Sequence, residues 1–360
     1  MDAANSAKLQ SAYGTRTLVP LDLALRLDRL PFKMSTNLML DLTYWSVKLF
    51  SYEQVASYFW HRRHFSLSDD TIRQVKNFVG TLVVADVQAK IAQADPNWQP
   101  KSQGGTNLTY IYVTESPITL KGTQECQSVT LAIFSSKDVS PLDGGFVVEK
   151  YDCLSIIGGA QDFAKALLWL IQQHEELFLG KSVIMFTPNT WLPDFAQKYL
   201  PKAKLTFDFD YFADLFVNLG KNLGLKDADL PEFVLPYLKL LQNNSWQSFQ
   251  QTIKLKSHEA KEAISKAFWE KLLAFLEANA PFCPHQAVQA SPDFLGHFVF
   301  ADPHNFFEAK ALALPKGAWQ LETARAELLL RSKLTSNLWL SDVRDVVETY
   351  LDSAASTDLL

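Results

Sequence analysis

The sequence predicts an α/β protein: a mixed sheet carrying a helical insertion, preceded by an all-helical N-terminal domain that contains a helix-turn-helix. Three observations predict it. Apolar residues recur at spacings of three and four through most of 21–94, the period of a helix with one buried face. Short β-branched and aromatic runs begin at Leu108. After three such runs helices and strands alternate as far as Asn222, and from 225 the pattern is helical again. Composition agrees with a folded chain of two or three domains at roughly 150 residues each: 360 residues, 48% hydrophobic and 20% charged, which excludes disorder. Three cysteines cannot staple a chain of this size, which excludes a disulfide scaffold.

Residues 1–20 read as a loose arm. The run MSTNLMLDLTYWSVKLF puts Leu38, Leu42, Trp45 and Leu49 on one helical face. Ser51 is a fitting N-cap for SYEQVASYFW. Ser68 caps TIRQVKNFVG, with Asp69 and Asp70 suited to the positive end of that helix. The 21–94 domain ends in a polar segment rich in Pro, Gly, Gln and Ser, and 95–107 is the linker. Beyond it LTYIYVTE and SVTLAIFSS are strands joined by a turn around Gly122, and FVVEKYDCLSII is a third. A helix at Asp162–Gln173, the strand KSVIMF, a helix at Trp191–Tyr199, the strand AKLTFDF and a helix through Ala213–Asn222 complete the 108–224 domain. That order is the order of an RNase H-like mixed sheet, although periodicity alone supports only an α/β domain. Residues 225–313 form a helical insertion that loses regularity from about 281, and 314–360 return as C-terminal helices of the sheet domain.

Two stretches carry candidate chemistry. In Ser51–Val79 the helix YEQVASYF, the turn HRRHF and the helix TIRQVKNF form a helix-turn-helix pattern, in which Arg62, Arg63, His64, Arg73 and Lys76 are candidate DNA contacts. An ordinary helical hairpin with solvated charges fits the same residues. In LPKGAWQLETARAELLLRSKLTSNLW a glycine turn leads into an amphipathic helix, locally basic through Lys316, Arg325, Arg331 and Lys333. Glu322 and Arg325 stand at i,i+3 and can simply pair.

The second stretch resembles a family. Bacterial insertion-sequence transposases with an RNase H-like catalytic domain carry a Gly-Ser-Gly-x-x-Glu-Ser/Thr-Ala motif, then a helix with Arg-x-Lys, then a Trp. GAWQLETA, RSKL and Trp339 follow that order and spacing. The segment TLVPLDLALRLDRLPFKMSTNLMLDLTYWSVKLFSYEQVASYF resembles the N-terminal region of the same family. IMFTPNTWLPDFAQKYLPKAKLTFDFDYF resembles the part holding its second Asp, with Trp191, Leu192, Pro201 and Asp208 at matching places. The resemblance spans about Pro20 to Leu351. It implies DNA as partner, and it implies a set of two Asp and one Glu holding two metal ions for in-line phosphoryl transfer.

The departures fall on that set. Thr114 in TYIYVTES occupies the first Asp position and Thr187 in MFTPNTWL the second, while Tyr211 replaces a His. Only Glu322 remains, with Asp208 as a residual or vestigial acid. Mg²⁺ requires hard anionic oxygens, and a neutral hydroxyl does not offset its charge. The expectation is therefore a transposase-like DNA-binding protein with an impaired active site and no cofactor. Two alternatives stay open. An active metal-dependent DNA transposase or nuclease would use Mg²⁺ with displaced acids such as Glu115 and Asp208. A non-catalytic interaction module would offer a protein partner the insertion aromatics Trp246, Phe249, Phe268 and Trp269.

The remaining signals are weak. Cys283, His285, His297 and His304 fall close together but fit no standard zinc spacing. The N-terminus has no apolar stretch of signal-peptide type and no window reaches about 18 apolar residues, so a cytoplasmic protein without a membrane partner is expected. A homo-oligomer is compatible with the sequence. The net charge of −5 excludes a uniformly basic surface, so DNA contact would be local.

Overall fold

The structure is a computed structural model that describes residues 7–11, 14–18, 32, 34–49, 51–64, 66–100, 108–122, 126–142, 145–242, 246–260, 263–282, 297–301, 319–336 and 338–357. The expected loose arm is a two-stranded antiparallel ribbon, β1 (Ala7–Ser11) and β2 (Gly14–Leu18), with Ala7 opposite Leu18. Its strands are largely polar, so no alternation marks them in the sequence. Helices α1 (Thr36–Lys48), α2 (Tyr52–Arg63) and α3 (Asp69–Ala92) follow. Ser35, Ser51 and Ser68 each accept a first-turn amide, from Leu38 (3.4 Å), Gln54 (3.4 Å) and Thr71 (3.1 Å). Each thereby satisfies a donor the helix itself leaves open. His64 stops α2 in the left-handed conformation (φ 57°), its amide returning to the carbonyls of Phe59 and Trp60.

Strands β3 (Leu108–Ile118) and β4 (Cys126–Ser135) are linked through Gly122, whose φ of +68° suits a residue without Cβ. Then come β5 (Val139–Leu142), β6 (Gly145–Val148), β7 (Asp152–Gly158), α4 (Ala160–Gln173), β8 (Lys181–Phe186), α5 (Trp191–Tyr199), β9 (Lys204–Phe207) and α6 (Phe209–Asn222). Helices α7 (Leu230–Gln242), α8 (Trp246–Glu259) and α9 (Ala263–Ala278) precede β10 (His297–Phe300). The chain closes with α10 (Leu321–Thr335), a π-turn at Trp339–Val343 and α11 (Arg344–Thr357).

Five strands form one mixed sheet in the order β7-β4-β3-β8-β9. Strands β4 and β7 are antiparallel, whereas β8 runs parallel to both β3 and β9. The run FVVEKYDCLSII is two strands, not one. Exposed Glu149 and Lys150 separate β6, which lies between β10 and β5 in a three-stranded sheet, from β7 in the five-stranded sheet. Against the insertion, Phe216 of α6 stacks on Tyr237 (4.5 Å), which meets Trp269 (5.6 Å), while Phe249 stands edge-on to Phe216 (6.2 Å). Phe249 and Trp269 are therefore core residues, which corrects their expected place on a partner surface. Their helical spacing is equally that of a core face.

Contacts divide the chain into two compact units. One comprises Met1–Ala92, Ile118–Glu125 and Pro303–Leu360, the other Gln93–Pro117 and Cys126–Asp302. The C-terminal helices, which the sequence assigns to the sheet domain, thus group with the N-terminal helices. Helix α3 is their common partner: α1, α2, α10 and α11 all pack on it. A Cβ on Gly80 would come within 2.7 Å of the Ala326 Cβ, so that glycine sets how closely α3 and α10 approach. Phe78 of α3 meets Phe32 (6.0 Å) and Tyr350 (5.5 Å), and Trp339 meets Tyr44 of α1 (5.8 Å).

Candidate functional site

The C-terminal ends of β3, β8 and β9 gather the polar residues of the sheet. Register pairs Val113 with Phe186, so Thr114 and Thr187 are the next residues on two adjacent parallel strands. The ladder continues past them: the Thr187 amide donates to the Val113 carbonyl, and the Glu115 amide donates to the Thr187 hydroxyl, each at 3.0 Å. Asn189 turns back to the Thr187 carbonyl (3.0 Å) and accepts the Leu192 amide (3.0 Å), capping the start of α5. Residues 112 and 114 share one face of β3 and residue 115 takes the other. On the first face the Tyr112 hydroxyl donates to Asp208 Oδ2 at 2.5 Å, with Thr114 beside it. On the second the Trp191 indole donates to Glu115 Oε1 at 2.6 Å.

Asp208 is only 6% exposed. Its Oδ1 accepts the Asp210 amide (3.2 Å) as the N-cap of α6, and its own amide donates to the Phe186 carbonyl (2.9 Å). Burial, with Asp208 and Asp210 nearby, pushes the Tyr112 phenol well above its ordinary value, so it stays a donor. Burial also raises the Glu115 carboxyl, against the opposing indole hydrogen bond.

These donors do not fit a two-metal centre. Thr114 and Thr187 offer only neutral hydroxyls, both Asp208 oxygens already accept hydrogen bonds, and Glu115 faces away from Thr114. Among the described residues no three His, Cys, Asp or Glu converge so as to hold a metal ion. Cys283, His285 and His304, and the side chain of His297, lie outside the described residues.

Glu322 belongs to the helical unit, is 73% exposed at its side chain and pairs with Arg325 (2.9 Å), the i,i+3 arrangement that its spacing allows. The rest of α10 is not amphipathic but buried from Ala326 to Thr335. Arg331, 1% exposed, donates through Nε to Glu327 Oε1 (2.9 Å), while Lys76 of α3 pairs with Glu327 Oε2 and Lys333 pairs with Asp342. Lys76, Arg331 and Lys333 are therefore corrected from DNA contacts to internal ion pairs. A buried cation persists only with an anion beside it, and Glu327, four residues before Arg331, is the signal that the sequence offered.

Of the other candidates, Arg62, Arg63, His64 and Arg73 are exposed around the α2–α3 turn. Arg63 faces Asp41 at 3.5 Å and Arg73 pairs with Asp70, while Arg62 makes no ion pair among the described residues. Lys316 lies outside the described residues. Sequence reasoning missed Trp60, 56% exposed in the last turn of α2 amid these bases. It also missed the Tyr112–Asp208 and Trp191–Glu115 pairs, which join residues far apart in the chain. Compared with the models of known protein families and with curated proteins, the chain matches none. Among the described residues no helix is long and apolar enough to cross a membrane.

Proposed function

We propose that this chain is a transposase-like DNA-binding protein in which an RNase H-like sheet has lost its metal chemistry. One observation carries the proposal. Thr114 and Thr187 stand side by side at the C-terminal ends of adjacent parallel strands, where the resemblance expects a pair of Asp. Further support comes from strand order. Strands β3, β4 and β7 lie side by side, and the two strands that alternate with helices join in parallel at the other side of β3. DNA contact falls to the α2–α3 turn, read as a helix-turn-helix, where Arg62, Arg63, His64 and Arg73 remain at the surface.

Gel-shift titrations of a labelled duplex at low and raised salt test the proposal. Retardation should be strongest at about 50 mM salt and weaken steeply by about 200 mM. Replacing Arg62 and Arg63 together with Gln should reduce affinity and flatten the salt dependence. Absence of any shift at low salt would favour the interaction-module alternative instead.

A further inference from the structure

Trp60 is an anomaly among the tryptophans. This residue type is highly buried on average, yet Trp60 is 56% exposed in the last turn of α2. Basic residue types surround it in sequence: His61, Arg62 and Arg63 complete the same turn, and His64 caps it. Exposed Glu53, Ser57, Trp60 and His64 recur at four, three and four residues, so the indole lies on the solvent stripe of the helix and not on the core face of Val55 and Phe59. Nothing on that stripe is apolar except Trp60 itself, so a hydrophobic protein groove gains little here. An exposed flat π-surface in the same helical turn as two arginines suits a polyanion that presents flat π-surfaces of its own.

We infer that Trp60 is a base-stacking platform and that the α2–α3 turn prefers DNA with unpaired bases, such as a single strand or the loop of a hairpin. The inference rests on the DNA-binding proposal above and names its substrate class. In an intact duplex the base faces are already stacked, and a side chain reaches them only by unstacking a step. In a single strand they are free, and aromatic stacking tolerates any sequence. Arg62 and Arg63 then hold the backbone, with Arg63 exchanging Asp41 for a phosphate. His64, in the left-handed conformation, ends the helix one turn after Trp60.

Fluorescence anisotropy on the full chain tests this with one labelled sequence as single strand, hairpin and blunt duplex, at fixed low salt, and with an RNA strand of that sequence. The single strand and hairpin should bind more tightly than the duplex. Trp60→Ala should weaken both by on the order of ten-fold and leave the duplex within about two-fold, with Trp60→Phe retaining most of the preference. Because the ring is exposed, the variant should keep the wild-type melting temperature, which controls for misfolding. Equal binding of duplex and single strand with no effect of Trp60→Ala overturns the stacking role while leaving DNA binding intact. Tighter binding of the RNA strand overturns the choice of DNA. Absence of binding to every probe overturns the underlying proposal together with this one.

Discussion

At Asp208 a single carboxylate caps α6 and accepts the Tyr112 hydroxyl, so it ties β9, β3 and α6 together at the sheet edge. Asp208→Ala removes both acceptors, the cap of α6 and the carboxylate that accepts the buried Tyr112 hydroxyl. The expected loss is about 2 kcal/mol or more in urea unfolding, and a change within error would show that the sheet edge does not depend on this pair. A second residue-scale device is pH-sensitive. His174 Nε2 donates to Asp152 Oδ2 at 2.9 Å, and that hydrogen bond, with the Asp152 and Glu176 charges, raises its pKa against the opposing effect of burial. A raised folded pKa means that the stabilisation is complete below the ordinary histidine value of about 6.5 and is lost as pH rises through the folded value. Stability should therefore fall, by about 1 kcal/mol, as pH rises from below about 6.5 through the folded value. Asp152→Asn should flatten that fall, and parallel profiles for the two proteins would speak against the pair.

Among the elements, α10 shows most plainly how placement overrides pattern. Its sequence, LETARAELLLRSKLT, looks like a surface helix with a basic face, yet it lies buried against α3 and α1. Glu327 lies between Lys76 and Arg331 and shares its one negative charge between two buried cations. Glu327→Gln should cost about 3–5 kcal/mol, because the amide leaves both cations without a counter-charge. Exchanging all three residues for apolar ones of similar volume should be much milder, and equal losses would mean the charges are not coupled. At the same contact Gly80→Ala should destabilise by about 1–3 kcal/mol through overpacking, even though alanine favours a helix by up to about 1 kcal/mol. Thermal melts decide the sign. Serine caps at Ser51 and Ser68, the strands KSVIMF and LTYIYVTE, and the helix at Trp191–Tyr199 were all legible because their signals are local. Partners such as Lys76 and Glu327, or Trp191 and Glu115, are brought together only by tertiary packing, which a single sequence does not encode in its periodicity.

For the molecule as a whole, the net charge of −5 gives less information than where its charges lie. Three of the nine expected bases, Lys76, Arg331 and Lys333, are withdrawn into internal pairs, and Arg62, Arg63, His64 and Arg73 stay exposed around the α2–α3 turn. The carboxylates are abundant, but the strand ends carry Thr114 and Thr187, and the nearby acids Asp208 and Glu115 are engaged by Tyr112 and Trp191. Under the proposed function, DNA binding persists where strand chemistry is lost. The α/β class and the mixed five-stranded sheet were readable in advance, whereas the grouping of the C-terminal helices with the N-terminal ones depends on contacts such as Gly80 with Ala326. The most direct measurement is incubation of the purified protein with end-labelled DNA in Mg²⁺, resolved on native and denaturing gels in parallel. DNA that is retarded on the native gel and uncut on the denaturing gel is the predicted result. Metal-dependent cleavage that disappears in Glu322→Gln would contradict the account.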